Sequence, residues 1–232
     1  MEGMDKKQCA VFDIDGTIFR SSLFVELVEQ LIEEGAFPES ARKGYEKELS
    51  EWQNRDGHYN DYIQKMIEVY SEHVKGLHID KVIEVSNRVL HFQRQHVYRY
   101  TRDLIKKLQP THFMLAISHS PFYIAEPFAR EMGFQKIYAV WYEEDENGFL
   151  TGGVKYEDLI FHKGRVLQRA IEKENLVLDD SYGVGDSESD ISMLEMVEHP
   201  IAFNPSNELY KVAKKNGWQV VVERKDVVYH IQ

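Results

Sequence analysis

The spacing of hydrophobic residues changes twice along the chain. A short apolar run over residues 9–12 predicts a first strand, and strand-length apolar runs return after residue 111. Between them, over residues 22–37, 61–77 and 79–97, apolar residues recur every three or four positions opposite charged faces, as in amphipathic helices. Gly35 and Pro38 are the stop signals of the first of these helices. The pattern predicts an all-helical insertion.

In the second half of the chain, apolar runs of strand length alternate with helical stretches. This alternation predicts an α/β fold with a mostly parallel sheet flanked by helices, and such sheets bind ligands at the carboxyl ends of their strands. A hairpin is predicted over residues 146–153 from the Asn147-Gly148 pair. The predicted strands cover residues 112–118, 136–142, 181–185, 200–204 and 218–223, and the predicted helices cover 121–133, 163–176, 190–197 and 207–217. We expect a core domain over 1–20 and 99–232 and a helical cap domain over 21–98.

Composition and charge narrow the classes of partner. The 232 residues carry a formal net charge of −11, which disfavours nucleic acid and anionic membranes as partners. Cys9 is the single cysteine, the first eight residues lack the apolar stretch of a signal peptide, and no run approaches the ~20 apolar residues of a membrane span. We therefore expect a cytoplasmic monomer or homodimer that acts on a small molecule.

Two carboxylates follow the first strand in the segment DIDGT. Asp13 and Asp15 are two residues apart, so an extended backbone directs both side chains to one side, where a cation or hydrogen-bond donors must offset their repulsion. In the alternative interpretations, Asp15-Gly16 is an ordinary turn with Asp13 at a solvated strand end, or the segment is a calcium loop. The calcium loop is disfavoured because no further oxygen ligands follow at the required spacing.

Two further segments carry polar groups where a strand gives way to a helix. In the first, Ser118, His119 and Ser120 precede Pro121, where a helix N-terminus favours an anion such as phosphate; the alternative is that a serine caps the helix. In the second, Lys163 opens a predicted helix, a position that the helix dipole disfavours unless a negative group is near. The alternative is a solvated lysine.

The fourth segment, GDSESD, delivers Asp186 to a strand end and Asp190 to the start of a helix, where Ser187, Ser189 or Asp190 could serve as the cap. Asp13, Asp15 and Asp186 together supply the hard oxygen ligands that suit Mg²⁺. With Lys163 nearby, such a site would accept a phosphoryl group. One carboxylate would attack phosphorus and the other would protonate the leaving alcohol.

These four segments resemble, in order, the four motifs of the haloacid dehalogenase superfamily. The helical insertion and the later motifs are similar to its subfamily IB, the phosphoserine phosphatase-like branch with a C1-type cap on a Rossmann-like core. The resemblance implies that Asp13 is the nucleophile, Asp15 the acid and base, Ser118 and Lys163 the phosphate binders, and Asp186 a Mg²⁺ ligand beside Asp13 and the Asp15 carbonyl. Thr17 and Asp190 are expected to support these groups.

The segments also depart from the phosphoserine phosphatase pattern. Ser22 stands where those enzymes place a glutamate for the substrate amine, and residues 56–87 contain no arginine for its carboxylate. His119 follows Ser118 where glycine is usual, so it either approaches the leaving group or ends a strand. Arg20 is a second candidate for substrate binding, with a solvated arginine as the alternative. Cap aromatics at helical spacing are expected in the core first and in substrate stacking second: Phe24, Trp52, Tyr59, Tyr62 and Tyr70.

The residues thus predict a magnesium-dependent phosphomonoester hydrolase that acts through an aspartyl phosphate on a small metabolite such as phosphoserine or a related ester. A phosphotransferase or mutase, which passes the phosphoryl group to a second substrate, remains an alternative. A receiver-like phospho-acceptor module is disfavoured by Asp15 and by an insertion of about 80 residues that a receiver of ~120 does not need. A catalytically silent interaction protein is disfavoured because every charged motif position is filled.

Overall fold

The centre of the fold is an open eight-stranded sheet, seen in a computed structural model that describes residues 6–231. The strand order is β4-β3-β2-β1-β5-β6-β7-β8, and all pairings are parallel except β3-β4 and β7-β8 at the two edges. The strands are β1 (Lys7–Phe12), β2 (Phe113–Pro121), β3 (Lys136–Glu144), β4 (Leu150–Lys155), β5 (Leu176–Gly185), β6 (His199–Phe203), β7 (Gln219–Arg224) and β8 (Val227–Ile231). The predicted α/β fold class is confirmed.

Helices cover the sheet and build the insertion. They are α1 (Leu23–Glu33), α2 (Glu46–Gln53), α3 (Tyr59–Val74), α4 (Ile79–Gln93), α5 (Arg99–Leu108), α6 (Phe122–Glu131), α7 (Glu157–Ile160), α8 (Lys163–Glu174), α9 (Ile191–Leu194) and α10 (Asn207–Asn216), with 3-10 turns at Glu39–Gly44 and Glu188–Asp190. No helix among residues 6–231 has the length and apolar character needed to cross a membrane.

The first strand and first helix form where the hydrophobic pattern predicts them. Residues 9–12 of β1 are fully buried, as expected for a strand covered on both faces. The Ser22 side chain caps α1 by accepting a hydrogen bond from the Val25 amide at 3.4 Å. Gly35 follows the end of α1 with φ +71°, a left-handed conformation that glycine adopts without strain.

Several element boundaries differ from the sequence prediction. Strand β5 begins at Leu176 instead of residue 181, and the helix predicted over 190–197 shrinks to a 3-10 turn and four-residue α9. Helix α5 was missed because its polar sequence hides a narrow buried stripe, and edge strand β8 because its side chains are mostly exposed.

The helical insertion leaves and rejoins the core at one place. The Tyr98 amide donates to the Ile18 carbonyl at 2.9 Å, and the Arg20 amide donates to the His96 carbonyl at 2.8 Å. Residues 21–98, all of which the structure describes, contain helices and turns and contribute no strand to the sheet. This geometry supports the boundaries predicted for the cap domain, although the division into two domains stays a prediction. Residues 1–5 of the predicted core lie outside the described residues. They make up most of the eight-residue N-terminal segment in which no signal peptide is predicted.

The register of three neighbouring strands explains why the motif residues meet. Phe12, the last residue of β1, pairs with Ala116 of β2 on one side and with Val184 of β5 on the other. Because all three strands are parallel, the residues that follow these three positions emerge at the same edge of the sheet. Asp13, Ser118 and Asp186 are therefore brought to a common edge.

Candidate active site

Lys163 is buried between two carboxylates. Its side chain is only 2% exposed, and its Nζ lies 2.5 Å from Asp13 Oδ1 and 2.6 Å from Asp190 Oδ1. Burial opposes the charged ammonium, but the carboxylates of Asp13 and Asp190 offset this and raise the Lys163 pKa. The alternative of a solvated lysine does not hold.

Asp190 holds the lysine and the backbone around Asp186. Its Oδ1 accepts the Lys163 hydrogen bond, while its Oδ2 accepts from the backbone amides of Asp186 at 3.0 Å and Ser187 at 2.9 Å. Ser187 and Asp190 also form a reciprocal cap on the turn at Glu188–Asp190. Because both oxygens of Asp190 have donors, the arrangement suits the supporting role predicted for it.

Asp15 is held by donors of its own. Its Oδ1 accepts from the Leu23 backbone amide at 2.6 Å, and its Oδ2 accepts from the hydroxyls of Ser118 and Ser120, each at 2.8 Å. Ser118 Oγ in turn accepts from the Ser120 amide at 2.9 Å. The two serines therefore fix a carboxylate, and the N-cap position of α6 is held by Pro121, which makes no side-chain capping hydrogen bond.

A cluster of acidic oxygens lies beside Lys163. Asp13, Asp186 and Asp190 each place one carboxylate oxygen within 4.8 Å of the others. Burial raises the pKa of Asp13 to about 7 and, with the charges of Asp13 and Asp190, raises that of Asp186 well above its usual range. Asp13 Oδ2 is buried and has no hydrogen-bond partner among the described residues. Three close carboxylate oxygens carry more negative charge than Lys163 offsets, and hard oxygen ligands of this kind fit a divalent cation such as Mg²⁺.

Asp15 differs from the other predicted metal ligands because its carboxylate lies outside this cluster. Its carboxylate oxygens are taken up by Leu23, Ser118 and Ser120, and the cluster of close acidic oxygens does not include it. Asp190, by contrast, belongs to the cluster by distance, yet its oxygens already have donors. Asp13 and Asp186 are thus the carboxylates best placed for a cation, and the Asp15 backbone carbonyl stays a predicted ligand.

Gly16 allows Asp186 to approach the first motif. Its φ is +81°, and a Cβ added at this position would lie 2.1 Å from Asp186 Oδ2. Thr17 Oγ1 lies 3.5 Å from Asp186 Oδ1, a long hydrogen bond from the same turn. This turn therefore leaves room for the Asp186 carboxylate and supplies it with a donor.

His119 is a buried neutral group next to the serines. Burial, together with the positive charge of Lys163, lowers its pKa to about 4. Its ring packs against Phe161 with centroids 5.5 Å apart, and its Nε2 has no hydrogen-bond partner within the described part of the chain. A neutral ring with one unpaired nitrogen could bind a substrate group, and this role stays a prediction.

Arg20 is engaged elsewhere. Its Nε donates to the Val97 carbonyl at 3.0 Å, and its Nη2 lies 3.2 Å from Glu223 Oε1. The guanidinium also lies over the Tyr98 ring, 5.5 Å from the centroid. These contacts fix the point where the insertion joins the core, and the predicted contact of Arg20 with substrate lacks support from them.

The residues that sequence reasoning missed lie at both sides of the site. The sequence suggests Ser120 only as an anion-binding residue or a helix cap. Its spacing of two from Ser118, however, places both hydroxyls on one side of an extended strand. From the cap, Asn60 donates a hydrogen bond to Glu188, which follows Asp186 by two residues. No pattern in the sequence signals this contact, because it joins residues 128 positions apart.

Replacing Gly16 with alanine tests the close approach of Asp186. Gly16→Ala and Gly35→Ala both place a side chain in a left-handed conformation, at a cost of about 1 kcal/mol each. Only the first adds a methyl group against Asp186, because a Cβ at Gly35 would meet no described atom within 4 Å. We expect Mg²⁺ at roughly 100 times its Kd to raise the free energy of unfolding of Gly35→Ala by about 2.7 kcal/mol and thus to raise its Tm. Gly16→Ala should lose this rise in thermal unfolding; an equal rise in both variants would contradict this account.

The raised pKa of Asp13 predicts how the stability of the metal-free protein depends on pH. The folded protein holds a proton on Asp13 up to about pH 7, whereas a free aspartate loses it near 3.8. The stabilisation is complete below the lower value and is lost as pH rises through the higher one. In EDTA, the Tm of the wild type should therefore fall relative to that of Asp13→Asn between about pH 4 and pH 7. Parallel curves of Tm against pH for the two proteins would show that the pKa of Asp13 is not raised.

The comparison with known proteins agrees with this geometry. The phosphoserine phosphatase of Archaeoglobus fulgidus is 26% identical over 211 residues, covering 90% of this chain and 56% of that protein. The histidinol-phosphatase of Neisseria meningitidis serogroup C is 24% identical over 229 residues, covering 93% and 98%. A solved structure of a protein of unknown function from Bordetella pertussis Tohama I has a TM-score of 0.73 at 22% identity, covering 93% of this chain and 98% of that one.

A model of the haloacid dehalogenase-like hydrolase family matches residues 10–195, which contain all four motif segments and the groups that meet around Lys163. The chain therefore belongs to the haloacid dehalogenase-like hydrolases, as the resemblance of its motifs predicts.

Proposed function

We propose that the protein is a magnesium-dependent phosphomonoester hydrolase that forms an aspartyl phosphate on Asp13. The observation that carries the proposal is the buried Asp13 Oδ2, which has no partner among the described residues while Oδ1 is held by Lys163. A carboxylate with one oxygen anchored and the other unpaired is oriented for attack. Membership of a hydrolase family supports the proposal, as do two relatives that are named as phosphatases.

The first chemical step would be transfer of the phosphoryl group to Asp13. Asp13 Oδ2 attacks phosphorus, the bond from phosphorus to the ester oxygen breaks, and Asp15 gives a proton to the departing alcohol. Asp15 is positioned for this role by Leu23, Ser118 and Ser120. Water then attacks phosphorus, Asp15 takes a proton from it, and the bond to Asp13 breaks to release phosphate. The two steps return Asp13 to its carboxylate and Asp15 to its protonated form.

Charge on the phosphoryl oxygens would be offset from two sides. Lys163 supplies a fixed positive charge next to Asp13, held in place by Asp190. Asp13, Asp186 and the Asp15 carbonyl would hold Mg²⁺, which when bound offsets the carboxylate charge and polarises the phosphoryl group. The Ser118 hydroxyl, which donates to Asp15 in the absence of substrate, is expected to donate to a phosphoryl oxygen.

The substrate we propose is a small phosphate ester, phosphoserine or a related monoester. Two relatives are named for phosphoserine and histidinol phosphate, both of which carry an amine in the leaving group. Ser22, which stands at the position of the amine-binding glutamate, caps helix α1. The amine of a substrate would thus need another partner. The cytoplasmic location and the monomeric or dimeric state stay predictions.

The proposal is tested by phosphate release from a panel of monoesters, including phosphoserine, phosphocholine, sugar phosphates and p-nitrophenyl phosphate. Asp13→Asn should lower kcat about 10³-fold or more while leaving the fold intact, because an amide cannot act as the nucleophile. Asp15→Asn should lower kcat about 10²–10⁴-fold because the proton transfers are lost. EDTA should abolish activity and Mg²⁺ should restore it.

The matched control is Asp179→Asn, which removes an exposed carboxylate on β5 far along the strand from its carboxyl end. This variant should keep the activity of the wild type. Full activity of Asp13→Asn, or full activity in excess chelator, would refute the proposal.

A further inference from the structure

The start of helix α3 is tied to the candidate active site by one bridging carboxylate. The Asn60 side chain donates from Nδ2 to Glu188 Oε1, and the Ser206 hydroxyl donates to Glu188 Oε2 at 3.2 Å. Glu188 lies in the turn directly after Asp186, and Ser206 caps helix α10. Glu188 therefore joins three segments, one of which belongs to the helical insertion.

Tyr59 is the first residue of α3 and precedes Asn60, so it lies next to the contact with Glu188. Its ring packs on Trp52 with centroids 5.0 Å apart and against Tyr62 at 6.0 Å. Burial raises the Tyr59 pKa, and among the charges that raise it further are those of Asp15, Asp186 and Asp13. The phenol therefore keeps its proton and can act as a hydrogen-bond donor.

Core packing accounts for the position of Tyr62 but not for that of Tyr59. Tyr62 is 3% exposed and completes the interior of the insertion, whereas Tyr59 stays 40% exposed with its ring at the edge of the same cluster. A large aromatic side chain that stays partly exposed beside the contact with Glu188 is available to a ligand.

We propose that the hydrogen bond between Asn60 and Glu188 is a latch that holds Tyr59 over the active site, where Tyr59 contacts the leaving group. The inference rests on the proposed phosphatase function and assigns its recognition of the alcohol to the start of α3. Asn60 and Glu188 are positioning residues, and Tyr59 determines specificity. The ligand class is an organic alcohol large enough to extend from Asp15 to the aromatic ring.

The chemistry of the latch suits a contact that opens in each turnover. An amide donor on the exposed Asn60 and a partly buried carboxylate form one hydrogen bond at the surface, without an opposite charge to strengthen it. Substrate and product can then exchange when this bond breaks, while the closed form places Tyr59 against the leaving group.

The latch is tested by exchanging its two groups. Asn60→Asp places a carboxylate against Glu188, so repulsion should open the latch and raise the KM for p-nitrophenyl phosphate about 3- to 10-fold, with a smaller change in kcat. Adding Glu188→Gln restores an amide opposite a carboxylate in reversed order, and the KM should return to within about twofold of the wild type. Asn54→Asp is the control, because it adds the same charge to an exposed residue of the insertion that bonds to Ser50.

Hydrogen exchange of the segment 54–62 gives a readout that does not depend on catalysis. Asn60→Asp should speed exchange there, the double variant should restore protection, and Asn54→Asp should leave residues 59–62 unchanged. The latch proposal is contradicted if Asn60→Asp has the same KM and hydrogen exchange as Asn54→Asp. It is also contradicted if the double variant restores neither the KM nor the protection. If the wild type releases phosphate from no ester while exchange follows this pattern, the latch stands and the phosphatase proposal fails.

Tyr59→Ala tests the specificity role separately. It should raise the KM for p-nitrophenyl phosphate, whose leaving group reaches the ring, several-fold more than the KM for acetyl phosphate, whose leaving group is small. An equal rise in KM for both substrates would show that Tyr59 does not contact the leaving group.

Discussion

The buried ion cluster around Lys163 is the interaction on which the rest of the site depends. An ammonium in a dry interior is stable only if carboxylates surround it, and Asp13 and Asp190 do so at 2.5 and 2.6 Å. The same contacts fix one oxygen of Asp13 and, through Asp190, the backbone that carries Asp186. One lysine therefore sets the positions of two strand ends at once. The excess of negative charge that remains explains why these residues fit a divalent cation.

The parallel sheet supplies the precision that these contacts need. Strands β1, β2 and β5 are adjacent and end in register, so the three segments that follow them cannot move apart without breaking backbone hydrogen bonds. Side-chain donors then refine the arrangement, with Ser118 and Ser120 fixing Asp15 from β2. A rigid backbone with oriented side chains is the arrangement expected where charge must be stabilised in a transition state.

The fold and the centre of the site could be predicted from the sequence, because both depend on local patterns. Strand-end carboxylates and the alternation of strands and helices are visible within short windows, and they predict that Asp13, Asp15 and Asp186 follow neighbouring strands. Whole elements escape prediction where the pattern is weak, as for α5 and β8. The contact between Asn60 and Glu188 could not be predicted, because it depends on how the insertion lies on the core. The partners of Arg20 were missed for the same reason, since Glu223 lies 203 residues away.

The two chain connections at the base of the insertion run side by side, with Ile18 bonded to Tyr98 and Arg20 to His96. A segment that leaves and returns at a single point can be lengthened, shortened or exchanged while the strand ahead of it keeps its neighbours. Evolution could thus vary the helical insertion, the proposed site of alcohol recognition, independently of the core, the proposed site of phosphoryl transfer. Selectivity and reactivity would in that case be inherited as separate modules of one gene.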